Sequence, residues 1–403
     1  MVNRVPPSAA VNKWVHNCER TPGLWLVAIA LGCTLWMHTL AFADTEPGTW
    51  HLWAGQPGSA PRVPTDMLTQ ERKPVKGMVD GPGSTAQFDG PGNIAADGAG
   101  NLYVLDQYDT VVRKISANGM VATLARLPDT RSDLGSDARA GIVIDDGGTL
   151  YVSEPALNRI VKISTEGTVS VYAGSTRAGR QNGPIASALF SEPRGLALDK
   201  AGNLYVADAG NSAIRRITID GVVTTIAGGR PGFVDGPISK ARFDTPSSLA
   251  IDKDGNIYVG EYLVVEDEGR SDYTGAIRRI SAAGNVTTLC DDSYAQARTN
   301  RVAPVLESFW GDCPSLGPYT VIVFDSHGLL YRFAADGFER IDPSKPYSRD
   351  TSTVFELRND PQIPWVSAGG IALDGQGNLY ATDPELTGIF RATPPYAKAL
   401  RRN

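Results

Sequence analysis

The chain has 403 residues, with 43 glycines, 27 prolines and a formal net charge of −6. This length allows a large buried core, and frequent glycine and proline are typical of many short strands joined by turns. The negative charge argues against a nucleic-acid partner, because binding to a phosphate backbone depends on lysine and arginine side chains that displace counterions.

Residues 1–43 have the pattern of an export signal. Basic residues precede an apolar run from Leu24 to about Phe42, which ends in the small-x-small pattern Ala41-Phe42-Ala43. We predict a cleaved signal peptide over 1–43 and a periplasmic or secreted mature chain over 44–403. About 20 apolar residues can also span a bilayer, so an uncleaved membrane anchor remains the alternative. Membrane contact is expected only in that second case.

One phrase occurs six times: Asp, two residues, Gly, one residue, Leu or Ile, and Tyr. Its copies are Asp97–Tyr103, Asp145–Tyr151, Asp199–Tyr205, Asp252–Tyr258, Asp325–Tyr331 and Asp374–Tyr380. The tyrosines recur at about the length of one four-stranded propeller blade. We therefore number six blades in chain order.

The third copy shows how one blade is built. The phrase itself is a hairpin turn, with a glycine available for a positive φ. Four short apolar or alternating segments are predicted as strands: Gly195–Leu198, Leu204–Ala207, Ile214–Ile217 and Val223–Ala227. No segment of the mature sequence has a sustained helical period, so the fold class is all-β.

The linked phrases DGPISKARFDTPSSLAIDKDGNIYV and NSAIRRITIDGVVTTIAGG resemble the NHL repeat of exported proteins. Blades one, three and four match closely, with a polar-Gly pair, then Ala and Phe two apart, then Pro: Asp80-Gly81, Ala86, Phe88 and Pro91; Asn182-Gly183, Ala188, Phe190 and Pro193; Asp235-Gly236, Ala241, Phe243 and Pro246. Blade two lacks the Phe and the Pro, and blade five keeps only the core phrase. The resemblance implies a six-bladed β-propeller of NHL-type repeats, with blades from about 77 to 392.

The last blade lacks a fourth strand of its own. Its third strand is predicted at Gly388–Arg391, after which no matching phrase follows. Residues 49–55, just after the leader, resemble the fourth strands of the other blades. We predict that this N-terminal strand completes blade six, which removes open sheet edges.

Carboxylates end the second strand in five blades: Asp106, Glu154, Asp208, Glu261 and Asp383. A ring of acids could hold a cation. Because the position recurs with the motif, we favour a structural role, in which each acid caps its own turn or pairs with a third-strand arginine such as Arg113, Arg215 or Arg278.

The upper face, defined by the turns between second and third strands and by the connections between blades, has three unusual segments. The turn in blade four is expanded and contains Glu261, Tyr262, Asp272 and Tyr273. The connection from Asp291 to Tyr319 contains Phe309, Trp310 and Cys313, and a further long stretch runs from Pro343 to Trp365. Long loops in compact domains are often functional, so we predict a ligand face around blades four to six.

Two residues depart from the repeat near the predicted channel mouth. Arg194 precedes the inner strand of blade three, where other blades have small residues, and an arginine there could orient an anionic ligand. Pairing with Glu192 is the alternative. Asn93 occupies a slot where Gly141, Gly195 and Gly370 stand elsewhere.

Cys290 and Cys313 are the two cysteines outside the leader. In an exported chain an even pair is a candidate disulfide, and free buried thiols are the alternative.

NHL-like propellers include protein-binding, RNA-binding and sensor domains, and related six-bladed folds include lyases and lactone hydrolases. Only His51 and His327 follow the leader, so the three-histidine metal site of amidating lyases is absent from this sequence. We predict a monomeric binding module for a protein, peptide or glycan. The alternative is a propeller hydrolase or lyase, lactonase-like and Ca²⁺-dependent in one version, with its site at the channel mouth. No cofactor is firmly predicted, and Ca²⁺ stays open.

Overall fold

Six antiparallel sheets follow one another along the chain in a computed structural model of the protein. The structure describes residues 50–55, 78–106, 111–127, 140–267, 270–291, 321–324, 328–334, 337–341, 343, 353–355, 369–384 and 387–393. Residues 47–403 form one compact unit. Within the described ranges, no helix has the length and apolar content that crossing a membrane requires.

Each sheet corresponds to one repeat of the sequence. The first strand of the chain is β1 (Trp50–Gly55). Blade one contains β2 (Gly81–Pro82), β3 (Pro91–Ala96), β4 (Leu102–Asp106), β5 (Val111–Ile115) and β6 (Met120–Arg126). Blade two contains β7 (Ile142–Ile144), β8 (Leu150–Glu154), a 3-10 turn (Pro155–Leu157), β9 (Arg159–Ile163) and β10 (Val169–Gly174). Blade three contains β11 (Gly183–Pro184), β12 (Pro193–Leu198), β13 (Leu204–Asp208), a 3-10 turn (Ala209–Asn211), β14 (Ala213–Ile217) and β15 (Val222–Gly228).

The remaining strands form the other three blades. Blade four contains β16 (Gly236–Pro237), β17 (Thr245–Ile251), β18 (Ile257–Asp267), β19 (Arg270–Ile280) and β20 (Asn285–Asp291). Blade five contains β21 (Val321–Phe324), β22 (Leu330–Ala334), β23 (Gly337–Ile341) and β24 (Thr353–Phe355). Blade six contains β25 (Ile371–Leu373), β26 (Leu379–Asp383) and β27 (Gly388–Ala392). The prediction of an all-β, six-bladed propeller is confirmed.

The innermost strands of the blades surround a central channel. Strand β3 contacts β7, β7 contacts β12, β12 contacts β17, β17 contacts β21, β21 contacts β25, and β25 contacts β3 again. The strand order of the last sheet is β1-β27-β26-β25, so the N-terminal strand is its outer strand. Trp50 pairs with Ala392 and Gly55 pairs with Gly388.

The core lies between the blades. In the part of the chain that the structure describes, buried apolar side chains form six clusters, each shared by two neighbouring blades. The cluster between blades three and four, for example, joins Ile214 and Ala227 to Phe243 and Val259. Because burial of apolar area is the main favourable contribution to folding, each blade depends on both neighbours.

In blades one to four and in blade six, the repeated phrase forms the hairpin turn on the lower face, opposite the upper face. In blade three, Asp199 Oδ1 accepts the backbone N–H groups of Ala201 and Asn203, each at 2.9 Å. Asp199 Oδ2 accepts the Asn203 side-chain amide at 2.8 Å and the Tyr205 hydroxyl at 3.3 Å. Gly202 has φ +79°, which a residue with a side chain adopts only with strain. The Asp, the Gly and the Tyr of the phrase therefore all serve the turn.

The expanded turn of blade four is a pair of strands and not the irregular loop that its length suggests. Strands β18 and β19 continue beyond the blade and pair without a break from Ile257↔Ile280 to Asp267↔Arg270. The segment is thus a two-stranded arm. The sequence Leu263-Val264-Val265 explains this, because β-branched and large apolar residues favour strand conformation.

Several predictions concern residues outside the described ranges. These are the leader over 1–43, the connection with Phe309, Trp310 and Cys313, and most of the stretch from Pro343 to Trp365. Cys290 lies in β20, with its backbone opposite Ile277. The signal peptide and the Cys290–Cys313 disulfide stay predictions.

Candidate functional site

A buried arginine on the third strand braces the upper end of three blades. In blade three, Arg215 Nη1 donates to Asp208 Oδ2 at 2.7 Å and to the carbonyl oxygen of Leu189 at 3.1 Å. Its Nη2 donates to the Asn182 side chain at 2.8 Å. Blades one and four repeat the arrangement with Arg113, Asp106 and Asp80, and with Arg278, Glu261 and Asp235. The structural interpretation of these three second-strand acids is confirmed.

We call each buried arginine with its acid partners an arginine clamp. The phenylalanine of the repeat motif completes it. The guanidinium carbon of Arg215 lies 5.0 Å from the ring centre of Phe190, and blades one and four show the same pairing. The position of Arg215, opposite Val206, is taken in blade two by Val161, opposite Val152. Blade two thus lacks both the arginine and the phenylalanine of the clamp. The two departures of its sequence from the motif belong together. There Glu154 pairs with Arg159 instead.

Two of the clamp carboxylates have raised pKa values. Burial raises the pKa of Glu261 to about 7, against the opposing attraction of Arg278 and the hydrogen bond from the backbone N–H of Asp244. Burial likewise raises the pKa of Asp208 above its ordinary value, while the Ser191 backbone N–H, Asn211 and Arg215 act in the other direction. Loss of hydration outweighs the local attraction in both cases.

The channel wall is tight where the inner strands have glycine. A Cβ on Gly141 would lie 2.5 Å from the carbonyl oxygen of Arg194, and one on Gly370 would lie 2.6 Å from the Cα of Asn93. Asn93 itself donates its side-chain amide to the carbonyl oxygen of Ala140 at 2.6 Å, which ties blade one to blade two. Asn93 and Arg194 both line the channel cavity, whose volume is about 310 Å³.

The backbone of Arg194 is fixed by the preceding blade. The Ser153 hydroxyl accepts the backbone N–H of Gly141 at 2.7 Å and donates to the carbonyl oxygen of Arg194 at 2.6 Å. Thr382 makes the equivalent bridge from blade six to Gly92 of blade one. The backbone from which the Arg194 side chain extends is therefore held in a defined position.

The side chain of Arg194 reaches blade four. Its Nη1 donates to the Tyr262 hydroxyl at 2.7 Å, and its guanidinium carbon lies 5.5 Å from the centre of the Tyr262 ring. Its Nη2 donates to Glu192 Oε2 at 3.2 Å. Only 9% of the Arg194 side chain is exposed, compared with 53% of Glu192. The predicted pairing of Arg194 with Glu192 is therefore present, the arginine also lines an open space, and its role towards an anionic ligand stays a prediction.

That space is a polar cleft on the upper face, between blades three and four, with a volume of about 510 Å³. We call it the Arg194 cleft. It is lined by Arg180, Glu192, Arg194, Ala209, Gly210, Asn211, Ser212, Gly229, Pro231, Asp244, Thr245 and Tyr262. The size is in the range of sites for small ligands or for one residue or sugar of a larger ligand.

The predicted site residues are only partly brought together. Arg194 and Tyr262 share the cleft, whereas Glu261 is buried in the clamp of blade four beside it. Asn93 lies on the channel wall of blade one. The backbones of Asp272 and Tyr273 pair with Val265 and Val264 in the arm. Phe309 and Trp310 fall outside the described residues.

Sequence reasoning missed Arg180, Asp244 and Ser212 as parts of the cleft. They come from three different connections, and no spacing in the sequence indicates that they meet. Among the described residues, no group of three or more His, Cys, Asp or Glu side chains is placed to hold a metal ion.

The sequence matches a repeat family and parts of known proteins. The family model of the NHL repeat matches residues 190–217, which include Phe190, Asp208 and Arg215 of one clamp. Protein SUPPRESSOR OF QUENCHING 1, chloroplastic, of Arabidopsis thaliana is 26% identical over 185 residues, which cover 42% of this chain and 17% of that protein. NHL repeat-containing protein 2 of Gallus gallus is 33% identical over 89 residues, 22% of this chain and 12% of that protein. The chain thus matches a small part of each relative's length.

Among solved structures, virginiamycin B lyase from Staphylococcus aureus superposes with a TM-score of 0.47 at 19% sequence identity, covering 79% of this chain and 85% of that one. The repeat match, the NHL-containing relative and the ring of six sheets agree. The chain is a six-bladed β-propeller that contains a match to the NHL repeat.

Proposed function

We propose that this propeller is a binding module that takes a protein, peptide or glycan ligand on its upper face, with the Arg194 cleft at the centre of the contact. The observation behind the proposal is the Arg194–Tyr262 pair. An arginine from blade three and a tyrosine from blade four meet at a polar cleft that opens to the surface. Arginine and tyrosine are among the residue types that contribute most to binding surfaces, because each offers both a flat contact area and hydrogen bonds.

The buried acids support binding over catalysis. Asp106, Asp208 and Glu261 each accept a hydrogen bond from a buried arginine and another from a backbone N–H group. A carboxylate held in this way stabilises the blade, and it does not extend towards the channel or the cleft.

A hydrolase or lyase is the second candidate, and one observation favours it. The pKa of Glu261 is raised to about 7, and such shifts are frequent among catalytic acids. Glu261 lies directly beside Tyr262 in the chain. This candidate requires Glu261 to leave Arg278, and Glu261→Gln would then abolish hydrolysis of a lactone or ester by the purified protein.

The location and assembly of the chain belong to the same proposal. We propose that the propeller acts outside the cytoplasm after cleavage near residue 43, as a monomer. N-terminal sequencing of the exported protein tests the cleavage, and a sedimentation experiment tests the monomer. Calcium binding is tested by a melting curve in EDTA and in added Ca²⁺, since a ligand specific for the folded state raises the melting temperature.

The binding proposal is tested by blocking the cleft. Purified protein is applied to peptide and glycan arrays, and the ligands that bind are measured again with Thr245→Trp. Thr245 begins β17 at the cleft, so an indole at this position fills part of the space. We expect at least about a tenfold loss of affinity, which corresponds to about 1.4 kcal/mol.

Asp254→Trp is the matched control. Asp254 is an exposed residue of the turn that follows β17, on the lower face. This variant should bind like the unchanged protein. Equal affinity of the unchanged protein and Thr245→Trp would place the ligand elsewhere and refute the cleft as its site.

A further inference from the structure

The backbone of Glu192 is exceptional in this propeller. Among described residues other than glycine, four have φ in the left-handed region. Three of these, Asn158, Ser212 and Thr387, stand at the same repeat position, directly before the third strand of their blades. Glu192, with φ 49°, shares its position with none of them.

Blade one has a glycine at the position of Glu192, whereas blade four has Thr245 there without a left-handed backbone. The residue before Pro91 is Gly90, with φ 76°, and the residue before Pro193 is Glu192. A left-handed backbone is strained for any residue with a Cβ, and glycine avoids this cost. Strained positions persist where the surrounding structure holds them, and they are concentrated at functional sites. Glutamate is therefore unfavourable for the backbone at this position. Its presence indicates that the side chain has a role of its own.

The side chain of Glu192 supplies a carboxylate to Arg194. The backbone N–H of Glu192 donates to the Asn158 side chain at 3.0 Å, which holds the strained conformation. The carboxylate then reaches Arg194 Nη2 at 3.2 Å. The pair is unequal, because the arginine is nearly buried while the glutamate is more than half exposed. The anion is the member that solvent and ligands can reach and replace.

Arg194 is less completely bonded than the arginines of the clamps. Arg215 uses both Nη groups for two hydrogen bonds each, to Asp208, Leu189, Gln181 and Asn182. Arg194 makes one hydrogen bond from each Nη group, and its Nε, like that of Arg215, has no partner among the described residues. A guanidinium group has five N–H donors in a plane and prefers a carboxylate that accepts two of them at once.

We propose that Glu192 occupies the position of a ligand carboxylate, and that the ligand of the Arg194 cleft carries a carboxylate group that replaces Glu192 on Arg194. This inference rests on the proposed binding function and adds the ligand's chemistry to it. Arg180 lines the same cleft and is exposed, so it supplies a second cation for the ligand. The exchange conserves charge, because one carboxylate leaves Arg194 as another arrives. Glu192 thereby keeps the buried arginine paired when no ligand is bound.

The test compares Glu192→Gly with the unchanged protein. Glycine adopts the left-handed backbone and removes the competing carboxylate. Calorimetric titrations use two carboxylate probes and their uncharged counterparts: galacturonate with galactose, and N-acetylaspartate amide with N-acetylasparagine amide. Salt concentration is matched throughout. We expect Glu192→Gly to bind at least one carboxylate probe about tenfold more tightly than the unchanged protein does, and its uncharged counterpart no more tightly.

Three further variants complete the design. Glu192→Gln keeps the side-chain length and should also bind the carboxylate more tightly, so the result does not depend on glycine alone. Arg194→Gln should lose carboxylate binding. Glu166→Gln removes an exposed acid on the lower face of blade two and controls for the change in net charge.

Each outcome decides the proposal. Preference for galacturonate would assign the carboxylate to a uronic-acid glycan, and preference for the aspartate derivative would assign it to a peptide. If Glu192→Gly and Glu192→Gln bind carboxylates no more tightly than the unchanged protein, Glu192 is a structural partner and the inference fails. Array ligands that depend on Thr245 but bind equally well to Arg194→Gln would overturn the carboxylate inference alone and leave the binding function intact.

Discussion

The two ends of blade three hold the same strands together by different means. At the lower end, Asp199 accepts hydrogen bonds from two backbone N–H groups, an amide and the Tyr205 hydroxyl, all partly exposed. At the upper end, Asp208 and Arg215 form a buried ion pair. The lower-end turn recurs with Asp97, Asp145, Asp252 and Asp374. The upper-end clamp is found in blades one, three and four.

The difference separates scaffold from site. A lower end that is the same in nearly every blade defines the hairpin and leaves little room for specific recognition. The upper ends vary from blade to blade, and the Arg194 cleft lies between two blades that both have a clamp. Ser153 of blade two fixes the backbone of Arg194, and Tyr262 directly follows Glu261 of the blade-four clamp, so both residues extend from bonded backbone, as a binding site requires.

The largest expected effect comes from breaking the upper-end clamp. Arg215→Met keeps the bulk of the side chain but leaves the carboxylate of Asp208 buried without its cation. Loss of one member of a buried pair costs about 3–5 kcal/mol, so the free energy of unfolding should fall by that amount. Urea denaturation followed by tryptophan fluorescence measures it.

Arg216→Met is the control for this clamp variant. Arg216 is the next residue of β14 and is only partly buried. Its replacement should cost about 1 kcal/mol or less. Similar losses in Arg215→Met and Arg216→Met would show that the buried pair contributes no more than ordinary side-chain packing.

The next effect is a dependence of stability on pH that comes from Glu261. Burial raises its pKa from 4.5 to about 7, so the folded state binds this proton more tightly than the unfolded chain. The resulting stabilisation is complete below about pH 4.5 and is lost as the pH rises through 7, with an upper limit of roughly 3 kcal/mol. Glu261→Gln should flatten the fall in unfolding free energy between pH 5 and 8.

Two comparisons make the pH measurement specific. Glu166→Gln, at an exposed position, should leave the slope unchanged. Asp208 also has a raised pKa from burial, so a smaller slope of the same sign should remain in Glu261→Gln. A slope in Glu261→Gln equal to that of the unchanged protein would mean that Glu261 stays ionised in the folded state.

The fold could be predicted from the sequence because each repeated residue has a local task. The Asp, Gly and Tyr of the core phrase meet within one turn, and the clamp residues Phe190, Asp208 and Arg215 belong to one blade. The cleft could be predicted only in part. Arg194 stands out as a departure from the repeat, but Tyr262 is 68 positions away on another blade. Their meeting follows from the packing of two blades, which no spacing within a repeat encodes.

The smallest expected effect comes from the lower end, where Tyr205→Phe removes one hydroxyl and leaves the turn otherwise intact. The Tyr205–Asp199 hydrogen bond is partly exposed, so its loss should cost about 0.5–1.5 kcal/mol of unfolding free energy. Tyr380→Phe in blade six should cost more, because its hydroxyl donates to Asp374 at 3.1 Å in a buried setting, where Asp374 loses a partner that water does not replace. The same urea denaturation measures both. If Tyr205→Phe cost as much as Arg215→Met, the lower end would hold the blade as firmly as the upper end, and the distinction between the two would be wrong.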